Sequence, residues 1–83
     1  MKKKIVHYYT KANCPLCEEG LALLEDLAND FSLEIKLVDI YQNDDLLEKY
    51  QLMIPVVECG GEIVDCGQIS WLKLHRYFSG QNK

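Results

Sequence analysis

Ile5-Val6-His7-Tyr8-Tyr9-Thr10-Lys11-Ala12-Asn13-Cys14-Pro15-Leu16-Cys17 changes character at its two cysteines. Before them the chain is apolar and strand-like; after them a helical pattern begins. Pro15 suits the first turn of a helix, where a missing N–H costs nothing and φ is already near the helical value. The pattern predicts Cys14 at the helix cap, exposed, with Cys17 one turn inside and partly sheltered. Unpaired N–H groups at a helix start carry partial positive charge, which favours thiolate over thiol. One sulfur attacks and the second waits within reach, the arrangement that thiol–disulfide exchange requires.

Working outward, residues 3–10 are predicted as a first strand. Val6 and Tyr8 lie on one face and Ile5 and Tyr9 on the other, as in a central strand covered on both sides. From Pro15 to about Asp30, Cys17, Leu21, Leu24, Ala28 and Phe31 recur at helical intervals, a stripe widened by Leu23 and Leu27. Residues 32–40 alternate through Leu33, Ile35 and Leu37 as a second strand. Strand, helix and strand in that order make a right-handed βαβ unit with parallel strands. Asn43 caps a short helix from Asp44 to Tyr50. Met53-Ile54-Pro55-Val56-Val57-Glu58-Cys59 is a third strand entered through proline, and Gly60-Gly61 is a two-residue hairpin turn into a fourth at residues 62–65. Ser70 caps a last helix in which Trp71, Leu74 and Phe78 share a core face; Gly80 ends it, and residues 81–83 are expected to fray. The order is βαβαββα: an α/β fold in one domain over residues 1–83, with no repeat or linker.

Composition limits the function. A net charge of −4, with no basic stripe beyond Lys2-Lys3-Lys4, gives no electrostatic footprint for nucleic acid. No apolar run is long enough to span a bilayer, and no small-residue cleavage site follows the first one. The expectation is a soluble, cytoplasmic monomer that binds neither nucleic acid nor membrane. The chain has four cysteines, but its regular periodicity is unlike that of a loop-rich disulfide scaffold.

The element order, the Cys-x-x-Cys at the first strand-to-helix junction and the proline opening the third strand together resemble the thioredoxin fold in its smallest, glutaredoxin-like version. The stretch from Tyr9 to Cys17 is similar to the glutaredoxin active-site segment, including Lys11 three residues before the first cysteine. Met53-Ile54-Pro55 stands where the family has Thr-Val-Pro, whose proline is cis. The resemblance covers essentially the whole chain. It implies a four-stranded mixed sheet flanked by helices and a thiol–disulfide oxidoreductase with catalytic Cys14 and Cys17. Lys11, Pro15, Leu16, Ile54 and Pro55 would then line the substrate, with the backbone N–H and C=O of Ile54 pairing to it like an added strand. No bound cofactor is implied. The substrate would be a disulfide-containing or glutathionylated protein, with electrons from glutathione or from a flavin-dependent thioredoxin reductase.

Two positions depart from the family pattern. Leu16 replaces the usual tyrosine. Beyond the hairpin, Asp65, Cys66, Gly67 and Gln68 stand in place of the Gly-Gly-Cys-Asp that holds the γ-glutamyl end of glutathione. Asp65 beside that end would repel its carboxylate, so weak use of glutathione is expected. The alternative for the cysteines is a metal or iron–sulfur site, with Cys59 and Cys66 completing the ligand set. A two-residue turn at Gly60-Gly61 sets Cys59 opposite Glu62 and Cys66 opposite Pro55, too far apart to bond each other. Cys59 is then a buried filler and Cys66 an accessory thiol beside Pro55. His7, mid-strand, is expected in the core.

Overall fold

A computed structural model describes residues 4–81. The expectations for Lys2, Lys3 and the last two residues lie outside this range. The elements follow the expected order: β1 (Lys4–Thr10), α1 (Pro15–Phe31), β2 (Leu33–Asp39), α2 (Asp44–Tyr50), β3 (Val56–Cys59), β4 (Glu62–Cys66) and α3 (Trp71–Arg76). A short 3-10 turn, Ile40–Gln42, leads into α2, and a wider turn, Tyr77–Gln81, follows α3. The four strands form one mixed sheet in the order β2-β1-β3-β4, with β1 and β2 parallel and the other pairs antiparallel. Among the described residues this is an α/β architecture with a four-stranded mixed sheet and three α-helices, the arrangement that the resemblance to the thioredoxin fold implies.

Local chemistry accounts for the boundaries. The Asn43 side chain accepts from Asp45 N–H (2.9 Å) and Leu46 N–H (3.1 Å), and Ser70 Oγ accepts from Lys73 N–H (3.3 Å). Each satisfies donors that a helix start leaves unpaired. Ser32 ends α1 in the left-handed region at φ 56°. Gly60 and Gly61, at φ 63° and 85°, make the tight turn between β3 and β4; two positive φ values in a row match the strand twist and favour glycine.

The main core lies between the sheet and the helices α1 and α3, where Val6, Tyr8, Leu24, Leu27, Val57, Leu74 and Phe78 pack together. A smaller cluster of Ile40, Tyr50 and Val56, with Tyr9 against it, sits under α2 on the opposite face. That second face is covered only in part. Ile5 is 45% exposed, and the His7 side chain stands at the surface, 3.7 Å from Glu58, rather than in the core. Trp71 is also corrected: it is 43% exposed and stacks on His75 at 4.6 Å between centroids, while Leu74 and Phe78 of the same helix are buried.

The register of the hairpin differs from the expectation. Cys59 pairs with Glu62 and Glu58 with Ile63, but Val57 then pairs with Asp65 and Val56 with Cys66. A β-bulge adds one residue on β4, so Cys66 faces Val56 and not Pro55. A single extra residue reverses which side each later residue points to, and it turns Asp65 inward.

Gly20, in the middle of α1, is the position where sequence alone sees only a cost. A Cβ there would overlap the Tyr8 hydroxyl and stand 2.7 Å from Ile69 Cγ1 and 3.3 Å from Ile69 Cβ. Alanine in place of glycine favours a helix by about 1 kcal/mol, whereas overpacking a tight core costs about 1–3 kcal/mol. Both neighbours are buried side chains with little room to retreat. Gly20→Ala is expected to lower stability by up to about 2 kcal/mol in denaturant titration. An unchanged or higher midpoint would show that the gap can widen at no cost.

Candidate active site

Cys14 is the N-cap of α1, with φ −125° and ψ 101°, and Pro15 opens the helix. The Cys14 carbonyl accepts from Glu18 N–H at 3.0 Å, the first bond of the helix, and its Sγ accepts from Cys17 N–H at 3.2 Å. The cap is therefore a sulfur, placed where a helix start concentrates positive charge. A disulfide joins Cys14 to Cys17, with Cα atoms 5.1 Å apart, inside the range a disulfide spans without moving backbone.

The cysteines differ less in exposure than expected. Cys14 is 8% exposed and Cys17 3%. In the disulfide form the Cys14 sulfur turns back over the first helical turn instead of projecting from the cap. Exposed residues frame it: Lys11, Ala12 and Asn13 before it, Pro15 and Leu16 after it. Asn13 takes a left-handed φ of 56°. On the approach side, Lys11, Ala12 and Asn13 join Asp39 and Tyr41 to line a cleft of about 270 Å³.

Beneath the pair lies a residue that sequence reasoning assigned to the core alone. Tyr8, with no accessible surface, donates its hydroxyl to the Cys17 carbonyl at 2.7 Å. Burial raises its pKa far above the usual phenol value. The only sequence signal is a tyrosine where an aliphatic would serve, six residues before a cysteine, and that signal is faint.

The Ile54-Pro55 peptide is cis, and Pro55 is fully buried. Ile54 departs from the expected pairing role. Its N–H already donates to the Tyr50 carbonyl at 3.1 Å, because the chain leaving α2 continues to bond to the last helical turn. The expected pairing through both Ile54 N–H and C=O is therefore reduced to the carbonyl alone. Gly67 N–H donates to the Met53 and Pro55 carbonyls at 2.9 and 2.8 Å, fastening the end of β4 behind the proline.

Asp65 is corrected as well. It is 6% exposed, and its carboxylate accepts from Cys66 N–H at 2.9 Å and Ser70 N–H at 2.8 Å, with Lys73 Nζ at 3.5 Å. It holds the turn into α3 and offers no free charge to a ligand. Cys66 is an exposed thiol on the edge strand, and Cys59 is a buried one at the other end of the hairpin, its pKa raised chiefly by burial. Among the described residues, no group of three or more His, Cys, Asp or Glu side chains is arranged to hold a metal ion, and none of the helices is long and apolar enough to cross a membrane.

The fold and the dithiol motif at its first strand-to-helix junction define the class. The structure superposes on protein Ne2328 from Nitrosomonas europaea with a TM-score of 0.82, at 21% identity over 94% of each chain. It also superposes on a mutant thioredoxin from Halobacterium salinarum (TM-score 0.69, 18% identity, 99% of this chain and 77% of that one). Thioredoxin 1 from Thermosipho africanus gives a TM-score of 0.62 at 18% identity, over 95% and 99% of the two chains. These likenesses are of fold. The model of the glutaredoxin-like domain (DUF836) matches residues 5–79, and the chain belongs to that family.

Proposed function

We propose that this protein is a thiol–disulfide oxidoreductase that reduces disulfides through Cys14 and Cys17. The observation that carries the reading is the disulfide closed across the first turn of α1, with the Cys17 N–H directed at the Cys14 sulfur. In the reduced protein the same N–H and the helix terminus favour a Cys14 thiolate. That thiolate attacks a substrate disulfide, forms a Cys14–substrate disulfide and expels one substrate thiolate. The Cys17 thiolate then attacks the Cys14 sulfur and expels the second, leaving the Cys14–Cys17 disulfide. Two electrons pass to the substrate, and the two released thiolates take up the two protons lost by the cysteines.

Exposed Leu16, the Ile54 carbonyl beside Pro55, and Lys11 in its cleft would contact the substrate, which is a disulfide-containing or glutathionylated protein. No cofactor is needed for the exchange itself. The free thiols of Cys59 and Cys66 alongside a disulfide at the helix start suit a reducing compartment such as the cytoplasm.

The electron donor follows from the far end of the site. Asp65 is held by Ser70 and Cys66, and Gly67 N–H by Met53 and Pro55. Those bonds take up Asp65 and the Gly67 N–H at the positions where the resemblance places the γ-glutamyl group, and a missing charge-assisted contact is worth about 1.5–3 kcal/mol. Glutathione is therefore a weak reductant for this protein, by about ten- to a hundredfold in binding, and a thioredoxin reductase is the favoured source. A coupled assay on one protein disulfide, comparing glutathione plus its reductase with thioredoxin reductase, tests this. Faster turnover with glutathione would reverse the assignment of reductant, and no turnover with either would remove the oxidoreductase reading.

A further inference from the structure

Tyr8, Gly20 and Ile69 come together directly under the redox pair although they are far apart in sequence. Tyr8 lies on β1, one of the two inner strands of the sheet, and is wholly buried. Gly20 faces it from α1, and the missing side chain is the space its hydroxyl occupies; Ile69, just before α3, closes the same gap. From there the hydroxyl reaches the Cys17 carbonyl at 2.7 Å, while the Cys17 N–H points the other way to the Cys14 sulfur at 3.2 Å.

A carbonyl in the first turn of a helix already accepts from the N–H four residues on, so the Tyr8 bond is not needed to satisfy it. Reaching it requires a glycine in the helix, which costs about 1 kcal/mol relative to alanine. A phenylalanine would fill the same core volume without demanding a partner. The hydroxyl therefore acts on Cys17, which carries one sulfur of the pair and donates its N–H to the other. Burial also keeps the phenol protonated, and hence a donor, across the pH range in which thiols ionise.

We propose that Tyr8 is a positioning residue for the redox pair: seated in the gap at Gly20, it fixes the Cys17 backbone so that the Cys17 N–H stays aimed at Cys14, and so sets the ionisation of Cys14. The inference rests on the oxidoreductase reading above. The ionisable groups on the surrounding elements include Lys11, Asp39 and Tyr41 near the cap, Glu18 in the first turn of α1 with Glu19 next to it, and Asp65, Cys66 and Lys73 on β4 and α3. Tyr8→Phe leaves all of them in place.

The test is the pH dependence of Cys14 alkylation in the reduced protein, compared among wild type, Tyr8→Phe and Tyr9→Phe. Tyr9 loses a hydroxyl of the same kind, but its partner is Glu58 on the other face of the sheet. Tyr8→Phe is expected to move the midpoint upward and slow alkylation at pH 7 by about threefold, as a smaller thiolate fraction requires; Tyr9→Phe should match wild type. A lower melting temperature with an unmoved midpoint would make Tyr8 structural only and overturn the proposal, as would an equal shift in Tyr9→Phe. A measurement on wild type covers the case in which Tyr8→Phe does not fold. The NMR shift of the Tyr8 ring carbon bearing the hydroxyl should titrate with the Cys14 midpoint in the reduced protein, and a flat response overturns the proposal. Wild type that cannot cycle between dithiol and disulfide would instead overturn the oxidoreductase reading.

Discussion

Cys14→Ser should reduce turnover of a protein disulfide by at least about a thousandfold, the scale of losing a covalent nucleophile, while Cys17→Ser should stop half-way. In the second variant Cys14 still attacks, but nothing displaces the substrate from it, so a mixed disulfide should accumulate and be visible by mass. The asymmetry follows from the geometry: the Cys14 sulfur caps the helix and accepts the Cys17 N–H, whereas Cys17 lies within the first turn. Both are nearly buried in the disulfide form, so the difference belongs to the reduced protein and should be measured there. Alkylation at pH 7 should label Cys14 well ahead of Cys17. Trapping through Cys17 alone would reverse the roles.

Asp65→Gly should destabilise the protein by about 2–4 kcal/mol, because two part-buried charge-assisted bonds to backbone N–H groups are lost and the donors are left unpaired. The bonds are those to Cys66 and Ser70, and the second fixes the residue that caps α3. The nearby Lys73 is well exposed and adds little. For a domain of this size each kcal/mol moves the melting temperature by about 4–8 °C, so the loss should be plain in thermal unfolding. Asp65→Asn, which keeps an acceptor, should lose less. The sequence alone suggested the opposite interest in this substitution, as relief of repulsion on glutathione. A variant as stable as wild type with faster glutathione coupling would restore that view and displace the structural one.

Much of the protein was legible because its signals are local. The change from a strand-like run to three- and four-residue spacing at Cys14-Pro15-Leu16-Cys17 located β1, α1 and the redox pair together. Asn43 and Ser70 marked helix starts, since a capping side chain and the N–H it accepts from lie within three residues. Gly60-Gly61 marked the hairpin because two successive positive φ values restrict the residue types that fit. The family resemblance added the cis peptide before Pro55, which periodicity cannot give.

What remained for the tertiary structure depends on residues distant in sequence. The bulge on β4 changes no local pattern, yet it decides that Asp65 points inward and Cys66 faces Val56. Ile54 N–H bonds to Tyr50 because of how the chain leaves α2. Gly20 registers in the sequence only as a weak helix residue, and its purpose shows once Tyr8 and Ile69 fill the space beside it. His7 and Trp71 have core-compatible positions in their elements, but the edge of the packed layer leaves them at the surface. The amino-acid pattern determined which elements form and where the sulfurs sit, because period, caps and turns are set within a few residues. Only the packing of α1 and α3 on the sheet decided what surrounds those sulfurs, because burial and register are set by contacts between elements.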